Sequence, residues 1–594
     1  MIAWGRWVTL WLCLGASLRL WILIAHGSDI PPIRAIDFLL GAANDLQAFA
    51  LVSGFVACIG VLVPRLLSPV LFVTAGLMIV VLFAEVFFWQ EFQSRLNRLV
   101  FHYLSFPGEV ALFLEEQFFI SALLVPLALG SWGVMRFLLR RSTGVGQDGG
   151  PYLWAPAAAA VFALLLAEPL GQSASRLHSE WVSNGYLGVL RDARYDEAHI
   201  PWLAQFSDSK KKHGLKPTKA SQKEALLELR QAVAGKRHLV LIIEESFAGP
   251  VWRDPVLREK FLPNFSALSK ASVSFSQLYA TGSRTTRGME AILNGFLPLP
   301  GISATQRAKA NRLPSLARGM ADGGFFPVFL YGGWPDFSNF HRYWRDMGFK
   351  RLWSRDDFEE SFETSWGVSD EALFDRLLRE MDLLTTEHPK VFLATLTVSH
   401  HRPFDFPEGV VPFPAEERRS EYALAYADHA LGSFFKHAQA RPWYGDTLFL
   451  VIADHGPKPV GDALVPAQSF RIPLLLLGEG IAAYEIDHVG SSMSLPKTLM
   501  NLFDIPTEEA FFGEDLLCDC PTVAPLENAY HIGLMSEHSL DVISREGRFE
   551  RWRVDASTGS LSYEPQLDQR QGEGARLRVL EAFAPAYRRL YPAP

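Results

Sequence analysis

The sequence predicts two unlike regions: an N-terminal polytopic α-helical membrane region of about five spans, then an extracytoplasmic α/β domain with a mostly parallel central sheet. Three observations predict this. Charged side chains are scarce before about residue 170 and plentiful after it. The charge-poor part divides into apolar stretches near the roughly 20 residues that cross a bilayer as a helix. From residue 237 onward, short β-branched or Leu-rich runs alternate with helical segments, the pattern of a parallel sheet covered by helices.

The expected spans are Trp7–Ala25, Ala48–Pro64, Pro69–Trp89, Phe118–Leu138 and Tyr152–Leu170. The first resembles a signal peptide, but four more follow it, so anchoring is the expectation. Arg65 lies between spans two and three, and Arg136, Arg140 and Arg141 between four and five. With those connections in the cytoplasm, everything after residue 171 lies outside, although Arg34, Arg95 and Arg98 then fall on the outer face. The expected place is a bacterial inner or cell membrane, with the C-terminal domain in the periplasm or outside the cell. Arg19 interrupts the first span, either snorkelling to an interface or meeting a lipid phosphate. The connection from Gln90 to Gln117 is amphipathic enough to lie among headgroups, or it is a structural elbow.

Residues 1–170 are thus assigned to the membrane, 171–236 to an extracytoplasmic linker and 237–594 to a catalytic domain. The linker is polar and irregular, with Lys210-Lys211-Lys212 either solvated or resting on anionic headgroups, and ends in a helix from Ser221 to Ala234. Strands are expected at Leu239–Ile243, Phe326–Tyr331, Val391–Val398, Thr447–Ile452 and Ile472–Leu477. Helices are expected at Arg287–Leu293, Asp370–Leu384 and Ser420–Ala438. Of four cysteines, Cys13 and Cys58 lie in apolar stretches; Cys518 and Cys520 read as free or structural thiols, a disulfide between them being strained. A net charge of −8 with no basic, aromatic-laced patch excludes nucleic acid as the expected partner.

Ligands of open parallel sheets bind beyond the carboxyl ends of the strands, and the polar residues gather there. Glu244 and Glu245 follow the first strand, His400 and His401 the third, and Asp454 and His455 the fourth. Thr285 sits in Ala280-Thr281-Gly282-Ser283-Arg284-Thr285-Thr286-Arg287-Gly288-Met289-Glu290, a polar, Gly-rich turn opening a helix. Oxygen and imidazole donors beside a hydroxyl fit one divalent ion, with manganese, magnesium and zinc all admissible. A dication would draw the proton from an otherwise poor nucleophile. A helix starting near Thr285 would aim free amides at a phosphate, and Arg284 and Arg287 are candidates to neutralise it.

These motifs resemble the lipoteichoic-acid-synthase-like branch of the alkaline phosphatase/sulfatase superfamily. The resemblance implies Glu245, Thr285, Asp454 and His455 as metal ligands, with Thr285 also the nucleophile. Ser399-His400-His401-Arg402-Pro403-Phe404 is similar to the family's Ser-Asn-His-x-Pro-Phe segment, which implies His401 at the substrate headgroup. It further implies manganese or magnesium, phosphatidylglycerol as donor, a covalent phosphothreonine, and a glucan or glycerophosphate polymer as acceptor.

Two departures matter. Gly-Ser-Arg-Thr-Thr-Arg replaces the Cys/Ser-x-Pro-x-Arg motif of formylglycine sulfatases, which argues against sulfate esters. Tyr331–Arg342 lacks the family's Trp-x-Arg segment, leaving Trp334, Asn339 and Arg342 as substitutes and the headgroup open. Thr286 competes with Thr285 in the same turn. A phosphoethanolamine transferase, a phosphodiesterase and a non-catalytic membrane sensor or scaffold are the alternative functions.

Overall fold

The computed structural model describes residues 220–590 apart from short gaps, the longest at 304–312, together with scattered short runs between 15 and 203. The chain divides into two compact units, Met1–Asp196 with Val460–Asp462, and Glu197–Pro459 with Ala463–Pro594. The five expected spans lie almost wholly outside the described residues. Among the described residues, no helix is long and apolar enough to cross a membrane. In the first unit Arg19 neither snorkels nor is left for lipid phosphate: it pairs with Asp45, and both are buried. An opposite charge at contact distance offsets the cost of burying a guanidinium.

The second unit is built on an eight-stranded sheet: β1 (His238–Glu244), β2 (Val273–Phe275), β3 (Phe326–Tyr331), β4 (Arg351–Trp353), β5 (Val391–Leu396), β6 (Thr447–Ala453), β7 (Leu474–Leu477) and β8 (Tyr484–Ile486). Their order is β8-β2-β7-β6-β1-β5-β3-β4. All neighbours run parallel except β7, which is antiparallel to both β6 and β2. The central strands β1, β5 and β6 are buried along their whole length. Strands covered on both faces read as continuous apolar runs rather than alternating ones, which is why these were legible from sequence.

The helices of this unit include α1 (Ala220–Ala234), α2 (Thr285–Asn294), α3 (Asp370–Glu387) and α4 (Ser420–Ala438). The last helix of the expected linker, α1, is part of the domain instead. Leu226, Leu229 and Val233 enter the main hydrophobic core, and Arg230 pairs with Asp515 at 3.1 Å. Helix α3 starts at Ser369, whose hydroxyl accepts from Ala372 N, with Asp370 and Glu371 in the first turn; both features suit the positive end of a helix. Asp428 of α4 caps a different helix, Pro263–Lys270, by accepting from the amides of Asn264 and Phe265 at 3.0 and 2.7 Å.

Two differences from the sequence expectation have clear causes. The expected strand Ile472–Leu477 divides at Pro473, which carries no amide proton for a ladder. Arg471–Ile472 pairs instead with Leu278–Tyr279 in a separate three-stranded sheet. A five-stranded antiparallel sheet also follows the main one, β9 (Ala524–Asn528) to β13 (Leu561–Tyr563), backed by a helix at Gln569–Leu590. Its strands carry Glu527, Asp541 and Glu550 at buried positions and Pro525 on an edge strand, so no apolar run marks them. Cys518 is disulfide-bonded, where a free or structural thiol was expected.

Candidate active site

Glu244 and Glu245 show how the sheet sorts adjacent residues, since side chains alternate faces at a strand end. Thr397, just past β5, separates their duties. Its hydroxyl accepts from Glu245 N at 2.9 Å and donates to Glu244 Oε2 at 3.0 Å. Glu244 is buried away from the site, and burial, with the charge of Asp370, pushes its carboxyl well above the usual range. Glu245 turns toward the end of β6, where Asp454 and His455 follow the strand.

Glu245, Asp454 and His455 each offer one ligand atom within 4.8 Å of the others. His455 Nε2 lies 3.5 Å from Glu245 Oε1 and 3.5 Å from Asp454 Oδ2. The other imidazole nitrogen, Nδ1, lies 2.7 Å from Gly456 O, an atom that can only accept. Nδ1 therefore carries a proton, which leaves Nε2, facing the carboxylates, as the nitrogen that can serve a metal once its own proton has gone. Asp454 Oδ1 accepts from Ser246 N and His455 N at 2.8 Å each, whereas Oδ2 is buried without a hydrogen-bond partner. A buried carboxylate oxygen left in that state is costly. A divalent cation at this point would satisfy it, so the donor set fits one.

Charge balance points the same way. Burial opposes ionisation of Glu245, yet its bond to His455 and the charges of His455 and His401 outweigh it and hold the carboxyl far below its ordinary value. Burial and the charge of Glu245 raise Asp454 to about 7. Burial works against the His455 cation, but Asp454 and Glu245 raise it to about 9. Without a cation, two carboxylates thus share one imidazolium.

Thr285 opens α2 and donates to Glu245 Oε2 at 3.2 Å. Thr286, its rival, is the second residue of the helix and is buried. The helix can approach this closely because residue 288 is glycine: a Cβ there would lie 2.7 Å from both Cβ and the carbonyl oxygen of Asp454. A small cleft opens on Thr285 and Glu245, lined also by Tyr331, Trp366, Leu396, Thr397, Val398 and His401.

Residues 237–505 match the sulfatase family model. They form a sulfatase-family domain. Phosphoglycerol transferase I of Xanthomonas euvesicatoria pv. vesicatoria (strain 85-10) is 24% identical over 321 residues, 50% of this chain and 45% of that protein. Phosphoglycerol transferase I of Salmonella paratyphi B is 24% identical over 241 residues, 37% of this chain and 31% of that one. The chain spans less than half the length of these relatives. Among solved structures, an alkaline phosphatase superfamily protein of Vibrio parahaemolyticus superposes with a TM-score of 0.55 at 26% identity, covering 63% of this chain and 98% of that one. The lipoteichoic acid synthase LtaP of Listeria monocytogenes has the same fold, with a TM-score of 0.51 at 19% identity, over 63% of this chain and 96% of that one.

The sulfatase-family domain places the other expected site residues unequally. His401 lines the cleft. Arg287 does not: it is buried, bonded to Glu290 Oε2 at 2.7 Å, to Glu527 Oε2 at 3.3 Å and to the carbonyls of Leu299 and Gly301. Those partners take up its guanidinium, so it ties α2 to the C-terminal sheet rather than to a phosphate. Arg284 holds the N-cap position of α2 and is not among the cleft-lining residues. Trp334 lies beneath the Arg355 guanidinium, 5.9 Å from its ring centre, and Arg342 is exposed and pairs with Asp346 at 3.6 Å; neither lines the cleft. Asn339 lies outside the described residues.

One residue of the site escaped the sequence reading. Trp366 packs on His401 with ring centres 3.7 Å apart and planes tilted by 40°, and its indole nitrogen donates to Arg402 O at 2.5 Å. It lies in the turn of the two-stranded hairpin Glu363–Thr364 and Gly367–Val368, which is pinned to the end of β3 by Val368 N donating to Gly332 O at 3.0 Å. A tryptophan between helical and polar segments carries no periodic signal, so nothing short of the fold locates it. His400, expected at the end of β5 but given no role of its own, acts on the backbone. Its Nδ1 donates to Glu245 O at 3.2 Å and its Nε2 accepts from the Ser420 hydroxyl at 3.0 Å. Burial holds it neutral, pushed down to about 4, so it braces the backbone of a candidate ligand.

Proposed function

We propose that the domain is a phosphoglycerol transferase that moves a glycerophosphate headgroup from phosphatidylglycerol to a glucan or glycerophosphate acceptor through a phosphothreonine at Thr285. One observation carries the reading: the Thr285 hydroxyl is bonded to a carboxylate of a buried two-acid, one-histidine cluster, at the opening of a small cleft. A divalent cation held by Glu245, Asp454, His455 and Thr285, with manganese or magnesium the proposed ion and zinc admissible, would lower the pKa of the hydroxyl and offset the phosphate charge. The names of the two phosphoglycerol transferase relatives support the substrate class.

The chain's own residues then divide the work. Glu245 Oε2 accepts the Thr285 proton and so turns the oxygen lone pair toward the cleft. The first amides of α2, free of intrahelical partners, face the phosphoryl oxygens. Trp366 and His401 wall the space for the headgroup, whose carbon chain lies against the indole. Thr285 Oγ1 bonds to phosphorus as the bond from phosphorus to the diacylglycerol oxygen breaks, and the proton given up by Thr285 passes from Glu245 to the departing diacylglycerol oxygen. An acceptor hydroxyl oxygen later bonds to phosphorus as the bond from phosphorus to Thr285 Oγ1 breaks, and the acceptor's proton restores the threonine hydroxyl. The N-terminal region is proposed to anchor the domain at the outer membrane face, where lipid donors are effectively concentrated.

The test is to incubate the full-length protein with manganese and headgroup-labelled phosphatidylglycerol, with phosphatidylethanolamine in parallel. Intact-mass analysis should show a glycerophosphate adduct from the first lipid that disappears in Thr285→Ala. An adduct from the ethanolamine lipid alone would replace this reading by the phosphoethanolamine transferase. Diacylglycerol release with no adduct would replace it by direct hydrolysis.

A further inference from the structure

Ser246 touches every acid and base of the cluster. Its amide donates to Asp454 Oδ1 at 2.8 Å, its hydroxyl donates to Glu245 Oε1 at 2.8 Å, and the same hydroxyl lies 3.4 Å from His455 Nε2. It does so with φ of 51°, in the left-handed region that a residue with a Cβ disfavours. Strain of this kind persists where the surroundings over-determine it, and it gathers at functional sites.

The consequences for the carboxylates are specific. With Ser246 N and His455 N on Asp454 Oδ1, the oxygen left without a partner is Oδ2, the one that faces His455 Nε2. With the Ser246 hydroxyl on Glu245 Oε1, the Thr285 hydroxyl takes Oε2. We propose that Ser246 is a positioning residue: its left-handed backbone and its hydroxyl together preset Glu245, Asp454 and His455 for a divalent cation. The proposal rests on the metal-centre reading and adds to it the residue that arranges the ligands.

Two variants separate backbone from hydroxyl. Ser246→Gly accepts the left-handed conformation without strain and keeps the amide bond, but loses the hydroxyl. Ser246→Thr keeps the hydroxyl, while its β-branch raises the strain. Mn²⁺ binding to the full-length protein is measured by calorimetry, and the unfolding temperature is measured without metal. Ser246→Gly should bind Mn²⁺ about 10- to 100-fold more weakly, the usual loss when an outer partner of a ligand is removed. Its metal-free unfolding temperature should be unchanged or higher. Ser246→Thr should show the opposite ordering, near-native affinity with a lower unfolding temperature. A merely structural serine would lower both quantities together, and that result would overturn the proposal. So would Ser246→Gly binding Mn²⁺ as tightly as the unaltered protein. If the unaltered protein bound no Mn²⁺ at all, the metal-centre reading would fall first and this one with it.

Discussion

The Thr285 hydroxyl donates to Glu245 Oε2 across 3.2 Å, although 40 residues separate the two in the chain. Glu245 ends the central strand and Thr285 opens a helix, so the bond joins two elements only through the fold. Thr285→Ala should therefore abolish headgroup transfer, by at least about 10³-fold in kcat, while metal-free stability changes little. Thr285→Ser should retain the adduct. A serine variant without adduct, in a protein that still binds Mn²⁺, would count against threonine as the nucleophile.

Metal binding should depend on pH with a definite sign. The metal-free site holds a proton on His455 below about 9 and on Asp454 below about 7. Both protons must leave before these groups can serve as ligands. Affinity should therefore rise with pH, by roughly tenfold per unit per proton released in that window. Calorimetry in two buffers of different ionisation enthalpy counts the protons directly. An affinity flat from pH 6 to 9 would falsify the ligand assignment of His455.

Arg287 gives a different signature from a phosphate-binding arginine. Removing it leaves Glu290 and Glu527 buried without their cation, a loss typically of about 3–5 kcal/mol. Arg287→Ala should accordingly lower the urea midpoint sharply, in the absence of substrate. A variant of native stability with only a raised KM would restore the sequence-based reading.

Trp366 should act on substrate rather than on folding. Trp366→Ala is expected to raise KM for phosphatidylglycerol about tenfold, since a stacked aromatic contact contributes on the order of 1 kcal/mol or more. Trp366→Phe should recover most of it. Equal KM values for all three proteins would remove the indole from the headgroup wall.

Two buried histidines should make the domain acid-sensitive. Burial, aided by Arg237, pushes His238 down to about 4, and burial is the main cause of the fall of His400 to about 4. Between about pH 6.5 and 4 the unfolded chain binds protons that the folded chain refuses, so stability should fall as pH drops through that window. His238 Nδ1 accepts from Val391 N at 3.2 Å, a bond an asparagine oxygen can keep. His238→Asn should flatten the dependence of the urea midpoint on pH. The same slope in the variant would assign the acid sensitivity elsewhere.

How far the chain is legible depends on where its signals are local. The strand at Phe326–Tyr331 and the helix at Ser420–Ala438 coincide with the sequence expectation, because an unbroken apolar run and a long amphipathic pattern are local properties. The strands of the C-terminal sheet were missed because their buried positions hold charges neutralised by distant partners, as when Arg551 and Arg578 meet Asp541 at 2.5 and 3.3 Å. Among site residues, Glu245, Asp454, His455 and Thr285 stood out at the ends or starts of recognisable elements. Arg287 misled, since a place two residues from the proposed nucleophile says nothing about which way a helical side chain points. Helical geometry turns successive residues by about 100°, and here that turn carries Arg287 toward Glu290 and Glu527.

Sequence by itself determined the sheet-forming runs, the acids and histidines at their carboxyl ends, and the hydroxyl-bearing turn, because each is written within a dozen neighbouring residues. Tertiary structure decided which of two adjacent glutamates and which of two adjacent threonines meet, that Trp366 walls the cleft, and that Ser246 binds the cluster together. The reason is physical. A side chain's partner is set by the direction of its Cβ and by which strand ends the fold brings together, and neither is recorded in the spacing of residues along the chain.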